Sequence, residues 1–298
     1  MLLNSQTLCF EWLRSKKGKI KPSTYDKYDM ILNKYLLDFF NNYHLDQLDI
    51  SIIKDYFISL LDQGLSSSVQ SIKNVLKAIY ITYENQYGLN HIDFSLVKIE
   101  QEKKENASLL DEQFNQLHQY CLNTIDAIHL GILLAMDTGM MIGEMCALKV
   151  SDIDLNKKMI SITKRTQRVK NEERGSKTIY EVADVEWPIK RNIAIPQSLI
   201  QYLEIYLKDK NKNDYLLSNN QHASDFKKLQ RGLDKITQQL GFKTTYKDLR
   251  NMYKEHCMKK CLDVNVVMEL LGLQSMKLSL PQNYNSSDEE KIKQVNKL

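Results

Sequence analysis

The sequence predicts a mainly α-helical chain with one small antiparallel β-sheet, an α+β protein in two domains. Three observations lead there. Apolar residues recur at helical spacing through the first third of the chain. A charged stretch almost free of apolar residues, KIEQEKKENA at 98–107, then interrupts the pattern. Runs rich in β-branched residues occur only between 159 and 196, and helical spacing resumes after them. Residues 1–96 are therefore read as a helical domain, 97–107 as a linker, 108–284 as a second domain and 285–298 as a tail.

In the first domain, Leu8, Trp12 and Leu13 mark a short opening helix, followed by the basic loop Lys16, Lys17, Gly18, Lys19 and then Lys21. Ser23 suits an N-cap with Asp26 three residues on, and Tyr25, Tyr28, Leu32, Tyr35, Leu36 and Phe39 carry the next helix. A third helix starts near Asp49, carries Ile52, Ile53, Tyr56, Phe57, Leu60 and Leu61, and stops at Gly64. A fourth follows the cap-like run Ser66, Ser67, Ser68, carries Val69, Ile72, Leu76 and Tyr80, and ends near Gly88. The second domain turns helical from Leu109. Its β patch consists of MISITKRTQRV, TIYEVADVEW and NIAIP, with NEERGSK as a hairpin turn, and makes a three-stranded sheet. Everything after Pro196 is helical in pattern.

Composition narrows the classes of function. The 298 residues hold 41 Lys and Arg against 37 Asp and Glu, a net charge of +4 that is compatible with nucleic acid but weak evidence for it alone. No apolar run is long enough to span a bilayer, and the amino terminus lacks a signal-peptide layout, so a cytoplasmic location is expected. Cys9, Cys121, Cys146, Cys257 and Cys261 are scattered and read as buried thiols. Cys257 and Cys261 lack the second pair that a zinc site needs, so no metal and no cofactor are expected.

Two segments carry the chemistry. TGMMIGEMCALKVSDIDL, from Thr138 to Leu155, reads as a helix end, a short helix and a turn into a strand. It resembles the first signature of the tyrosine recombinase (phage integrase) family, T-G-[LM]-R-x-G-E-[LI]-x-x-L-x-W-x-D-[IV]-D. Thr138, Gly139, Gly143, Glu144, Leu148, Asp152, Ile153 and Asp154 fall in place, while Met141 stands at the family's first catalytic arginine. The second segment runs from Thr244 to Tyr284. It is similar to the family's closing signature through Asp248, Leu249 and Arg250 and the pair Leu271, Gly272.

The resemblance implies a helical core-binding domain of the SAM-like type followed by a tyrosine-recombinase catalytic domain. It implies double-stranded DNA as partner and self-association on DNA. Breaking a strand without a metal needs a nucleophile, cations on the phosphate oxygens and an acid for the leaving oxygen. Arginine suits the clamp because its planar fork donates two hydrogen bonds to phosphate and stays charged. By resemblance, Arg250 takes the second catalytic arginine's place, Lys247 stands where histidine is most frequent, and Tyr284 lies near the nucleophile's spacing. Leu273 replaces a histidine or tryptophan. Lys190, in WPIKRNIAIP, is the nearest match to the hairpin lysine, with Lys164 a weaker one. Lys16, Lys17, Lys19 and Lys21 sit where the family's amino-terminal domain touches backbone phosphates.

Each residue also has a plainer reading. Arg250 could be a structural ion-pair arginine, Tyr284 an ordinary tyrosine, Lys190 a surface lysine and the lysine cluster a solvated loop. Glu144, which in the family braces the first arginine, would only cap or solvate its helix. With Met141 and Leu273 in place, the expected protein binds DNA in site-specific recombination or the integration of a mobile element, with cleavage impaired or lost, as an accessory or regulator of another recombinase. The alternative is an active integrase that forms a 3′-phosphotyrosyl intermediate. A remoter one is a helical interaction protein without DNA.

Overall fold

The computed structural model describes residues 4–97, 109–170, 178–186, 188–260, 262–273 and 286–298. The linker stretch 98–107, the NEERGSK turn, Cys261 and Tyr284 lie outside them. Two compact units are formed; among the described residues the first takes 4–97 with 169–170 and 178–179, the second takes 109–168 and those from 180 on, and each holds its own apolar core.

Up to residue 97 the elements are all helical: α1 (Ser5–Lys16), α2 (Pro22–Ile31), α3 (Leu37–Asn42), α4 (Ile50–Asp62) and α5 (Ser66–Tyr87). A π-helical turn, Leu32–Leu36, joins α2 to α3, and both leucines at its ends are fully buried. Trp12, Phe57, Ile72, Leu76 and Tyr80 fill the middle. Asp49 caps α4 by accepting from the amides of Ser51 and Ile52, as its position predicts. Two expected caps are corrected. α2 opens at Pro22, whose fixed φ and missing amide suit a first helical position, so Ser23 falls inside the first turn. α5 opens at Ser66, after Leu65, which makes no side-chain cap, so the serines belong to the helix. α5 ends on a left-handed glycine, Gly88.

In the second unit, α7 (Ala127–Thr138) is the central rod, buried from Leu130 to Met136. It packs against α6 (Asp111–Leu122), α10 (Phe226–Gln239) and α11 (Tyr246–Lys259). The α6–α7 seam holds one polar pair, His118 Nε2 at 2.8 Å from Asp137 Oδ1. Burial disfavours the imidazolium, but the hydrogen bond and charge of Asp137 outweigh it, so the His118 pKa is raised. A raised histidine pKa stabilises the fold fully below the unfolded-state value, and the contribution disappears as pH rises through the folded-state value. The melting temperature is therefore expected to fall as pH rises above the ordinary histidine range, about 6.5, and His118→Gln should flatten that slope. An unchanged slope in the variant would exclude this pair as the cause.

The sheet differs from the expected one. MISITKRTQRV breaks at Thr163 into β2 (Met159–Ile162) and β3 (Lys164–Lys170). β1 (Ile153–Asp154), β2 and β5 (Arg191–Ala194) form one antiparallel sheet, in which Ile160 faces Ile153 on one side and Ile193 on the other. β3 and β4 (Thr178–Asp184) form a separate two-stranded ribbon. β2 is mostly buried and apolar, while β3 carries Lys164, Arg165 and Arg168, which a buried middle strand would leave without water.

Beyond Pro196 the chain is not helical throughout. After α9 (Gln197–Leu207) comes an irregular stretch in which Asp209 and Asn219 adopt positive φ and Tyr215 bridges Lys149 and Asn220. The Asn- and Asp-rich sequence there favours turns over a helix. α12 (Val264–Leu271) and α13 (Asp288–Val295) complete the unit. The tail helix α13 packs on β5 and α12 of its own chain, burying Val295 and a Lys291–Glu269 ion pair of 2.5 Å. In the tail Ile292 is half-buried, whereas Leu298 is exposed.

Candidate active site

The two signature segments meet where α7 ends, α8 (Ile142–Ala147) begins and α12 ends. Gly139 leaves α7 with φ +63, and a Cβ there would lie 2.5 Å from Tyr253 Cδ1 and 2.7 Å from Leu271 Cδ2. Only glycine allows the chain to turn this tightly against α11 and α12. The turn places Met141 at the N-cap of α8. Its amide donates to Glu144 Oε2 at 2.8 Å.

Glu144 does not solvate its helix. It is 1% exposed and forms a bidentate ion pair with Arg191, Nη1 to Oε1 at 2.7 Å and Nη2 to Oε2 at 3.0 Å. Arg191 opens β5, the strand paired with β2, and shares the buried parity of Ile193 and Ile195. Its Nε donates to Leu270 O at 2.7 Å and Nη1 also donates to Ile189 O at 2.8 Å. Gly272 closes α12 in the left-handed conformation directly above it, where a Cβ would approach Arg191 Nη1 to 3.0 Å.

Arg250 comes from α11, and the D-L-R triplet divides its work among three residues. Asp248 forms a capping box with Thr245, its carboxylate accepting from the Thr245 amide at 3.0 Å. Leu249 is fully buried in the core. Arg250 is then directed inward, where Nη2 donates to Leu271 O at 2.6 Å and Nη1 donates to Gly139 O. The two arginines thus take the orphan carbonyls at the end of α12, where cations also suit the helix dipole. Burial lowers the Arg250 pKa from its ordinary value, Glu144 opposes that and Arg191 adds to it. Two guanidinium groups and one carboxylate therefore share a single neighbourhood, with a net positive charge. Arg250 is half-buried, and among the described residues it binds two acceptors, which leaves N–H groups of its five for a further anion.

Of the other residues singled out, Lys247 is exposed one turn before Arg250 on α11. Met141 is half-buried. Leu273 is half-buried against Tyr253, Cys257, Leu262, Val267 and Leu271, where it supplies packing and no donor. Lys190 is exposed in the turn before β5, and Lys164 is exposed at the start of β3. Lys17, Lys19 and Lys21 are exposed between α1 and α2, whereas Lys16 lies 5.3 Å over the ring of Trp12. Among the described residues no group of three His, Cys, Asp or Glu side chains could hold a metal ion. Cys9, Cys121, Cys146 and Cys257 are buried and free, with burial raising each thiol pKa to about 12. Arg191 is the residue that sequence reasoning missed. Its alternation with Ile193 and Ile195 was the available signal.

The phage integrase family matches residues 107–291, and the SAM-like N-terminal domain of phage integrases matches residues 6–61. The chain is 26% identical over 300 residues to the XerC-like tyrosine recombinase of Caldanaerobacter subterraneus subsp. tengcongensis, covering 89% of this chain and 74% of that protein. It is also 26% identical over 286 residues to tyrosine recombinase XerA of Pyrococcus furiosus, covering 94% and 88%. Among solved structures, Tn1549 transposon integrase in complex with circular intermediate DNA superposes with a TM-score of 0.75 at 16% identity, over 92% of this chain and 93% of that one. A lambda integrase dimer bound to a COC′ core site gives 0.65 at 15% identity, over 92% and 75%. At these identities the structural likeness is one of fold.

Proposed function

Because the chain belongs to the phage integrase family, we propose that it binds duplex DNA in site-specific recombination with its own strand cleavage impaired or lost. The observation that carries this is the pairing of an intact Arg250 with an apolar Met141 at the mouth of the same site. Arg250 keeps N–H groups to hold a phosphate, and exposed Lys247 adds charge one turn away. Met141 offers that phosphate nothing. Leu273, packed against Tyr253 and Leu271, removes a second donor position. Removal of a single preorganised donor costs about 10²–10³ in rate. Tyr284 is the proposed nucleophile and Lys190 the proposed hairpin lysine. Phosphate contacts are spread over many lysines, so binding outlasts cleavage. In this reading residues 1–96 form the core-binding domain and 108–284 the catalytic domain. The chain then acts on DNA beside further copies or an intact recombinase. The solved relatives include a lambda integrase tetramer on a Holliday junction, which supports assembly on DNA.

An active integrase is the second reading. It is favoured by Arg191, whose ion pair keeps the Glu144 side of the site assembled although position 141 is apolar.

Binding is tested by titrating labelled duplex DNA from 50 to about 300 mM salt. Affinity should fall linearly on logarithmic axes. Replacing Lys17, Lys19 and Lys21 together by glutamine should reduce the slope by about 2–3, since each neutralised phosphate contributes about 0.9. Adding Lys16→Gln should change it less, because that side chain already lies over Trp12. A flat response, or no binding at low salt, would return the protein to the class of helical interaction proteins.

A further inference from the structure

We propose that Arg191 is a positioning residue that replaces the absent arginine of position 141 as the partner of Glu144, and that it holds the site in the shape from which Arg250 meets phosphate. The proposal rests on the reading that Arg250 contacts DNA. A buried carboxylate without a partner is costly, and at 1% exposure Glu144 cannot be relieved by water. Met141 cannot serve it except through the backbone amide. Arg191 reaches it from β5, 47 residues away in the chain, with both terminal nitrogens in the fork geometry that carboxylates favour.

The same guanidinium cannot also bind substrate. Its side chain is 2% exposed, and its nitrogens are engaged by Glu144, Leu270 and Ile189. What it does is join four pieces of chain at one point: the start of α8, the turn before β5, β5 itself and the last turn of α12. Arg250 donates to the very next carbonyl of that turn, Leu271 O. A shift of the α12 end would move the Arg250 head group with it. Gly272 has no Cβ because Arg191 and Pro188 O occupy that space. The charge count of the cluster, two guanidinium groups around one carboxylate, is thus kept although position 141 is apolar.

The decisive experiment is a double-mutant cycle on DNA affinity, with Arg191→Met and Arg250→Ala singly and together, run well below every melting temperature. In the wild-type background Arg250→Ala should weaken binding about tenfold or more, as expected for a charged hydrogen bond. In the Arg191→Met background the same change should cost no more than about twofold, because Arg250 is no longer held in place. Arg191→Lys should behave like Arg191→Met, since an ammonium cannot make the paired bonds. Should Arg191→Met fail to fold, the pair Glu144→Met with Arg191→Met removes both buried charges and serves as the background for the same comparison.

Equal costs of Arg250→Ala in both backgrounds would overturn the positioning role and leave Arg191 purely structural. No effect of Arg250→Ala in the wild type would overturn the phosphate reading itself, and this role with it. The ion pair would then still be detectable in melting temperature, where the Glu144→Met and Arg191→Met singles should each lose more than the double.

Discussion

Little or no covalent 3′-phosphotyrosyl adduct is expected from the wild-type chain on a nicked suicide duplex carrying its cognate site. In the proposed reading Arg250 is, among the described residues, the guanidinium that meets the phosphate, and Met141 and Leu273 stand at positions where the resemblance implies donors. Met141→Arg should raise adduct formation by about 10–100-fold, the inverse of losing one preorganised donor. The gain is held below the full value by Glu144. Its carboxylate already accepts from Arg191 twice and from the Met141 amide, so a new guanidinium would share rather than own it. Met141→Arg with Leu273→His should exceed either single change, and adding Tyr284→Phe should abolish the gain. An abundant adduct from the wild-type chain would establish the active integrase instead, with Arg250, Lys247 and a hairpin lysine sufficient for the chemistry.

Gly139→Ala should destabilise the second unit by about 2–5 kcal/mol. About 1–2 kcal/mol comes from forcing a side chain into the left-handed region, and about 1–3 kcal/mol from overpacking. The backbone has φ +63, and the new Cβ would meet Tyr253 at 2.5 Å and Leu271 at 2.7 Å. Tyr253 is fully buried and cannot swing aside, and Leu271 ends the helix that both arginines grip. Chemical denaturation should show a lower midpoint with an unchanged slope. Gly64→Ala is the control. It shares the left-handed φ but meets nothing within 4 Å, so it should lose only the conformational part. If the two variants lose equal stability, the close approach at Gly139 is not what the glycine serves.

Local signals were legible where the chain's own chemistry sufficed. Asp49 caps its helix because a short carboxylate reaches amides two and three residues on, and Asp248 reaches three residues back to the Thr245 amide. Gly88, Gly139 and Gly272 end helices because only glycine enters the left-handed region without penalty. The serines of 66–68 and Ser23 misled because a proline at Pro22, or a turn through Gly64, can start a helix without a side-chain cap. The two signature segments disclosed the family. They could do so because each motif residue serves a local role: Thr138 and Gly139 at a helix end, Asp248 as cap, Leu249 as anchor.

The sequence by itself therefore determined the helical fold class, the family, and the identities of Met141, Arg250 and Leu273. Only the tertiary structure decided what became of Glu144. Its partner is neither on its own helix nor at a spacing that any helix or turn pattern covers, but on a strand 47 residues later, aligned through the pairing of Arg191 with Ile162. The division of MISITKRTQRV between two sheets was likewise settled by which residues could be buried against α-helices and which needed water. Local periodicity encodes a face for each element, whereas the choice of which faces meet depends on desolvating charge across the whole unit. A buried carboxylate must find a cation wherever packing can bring one.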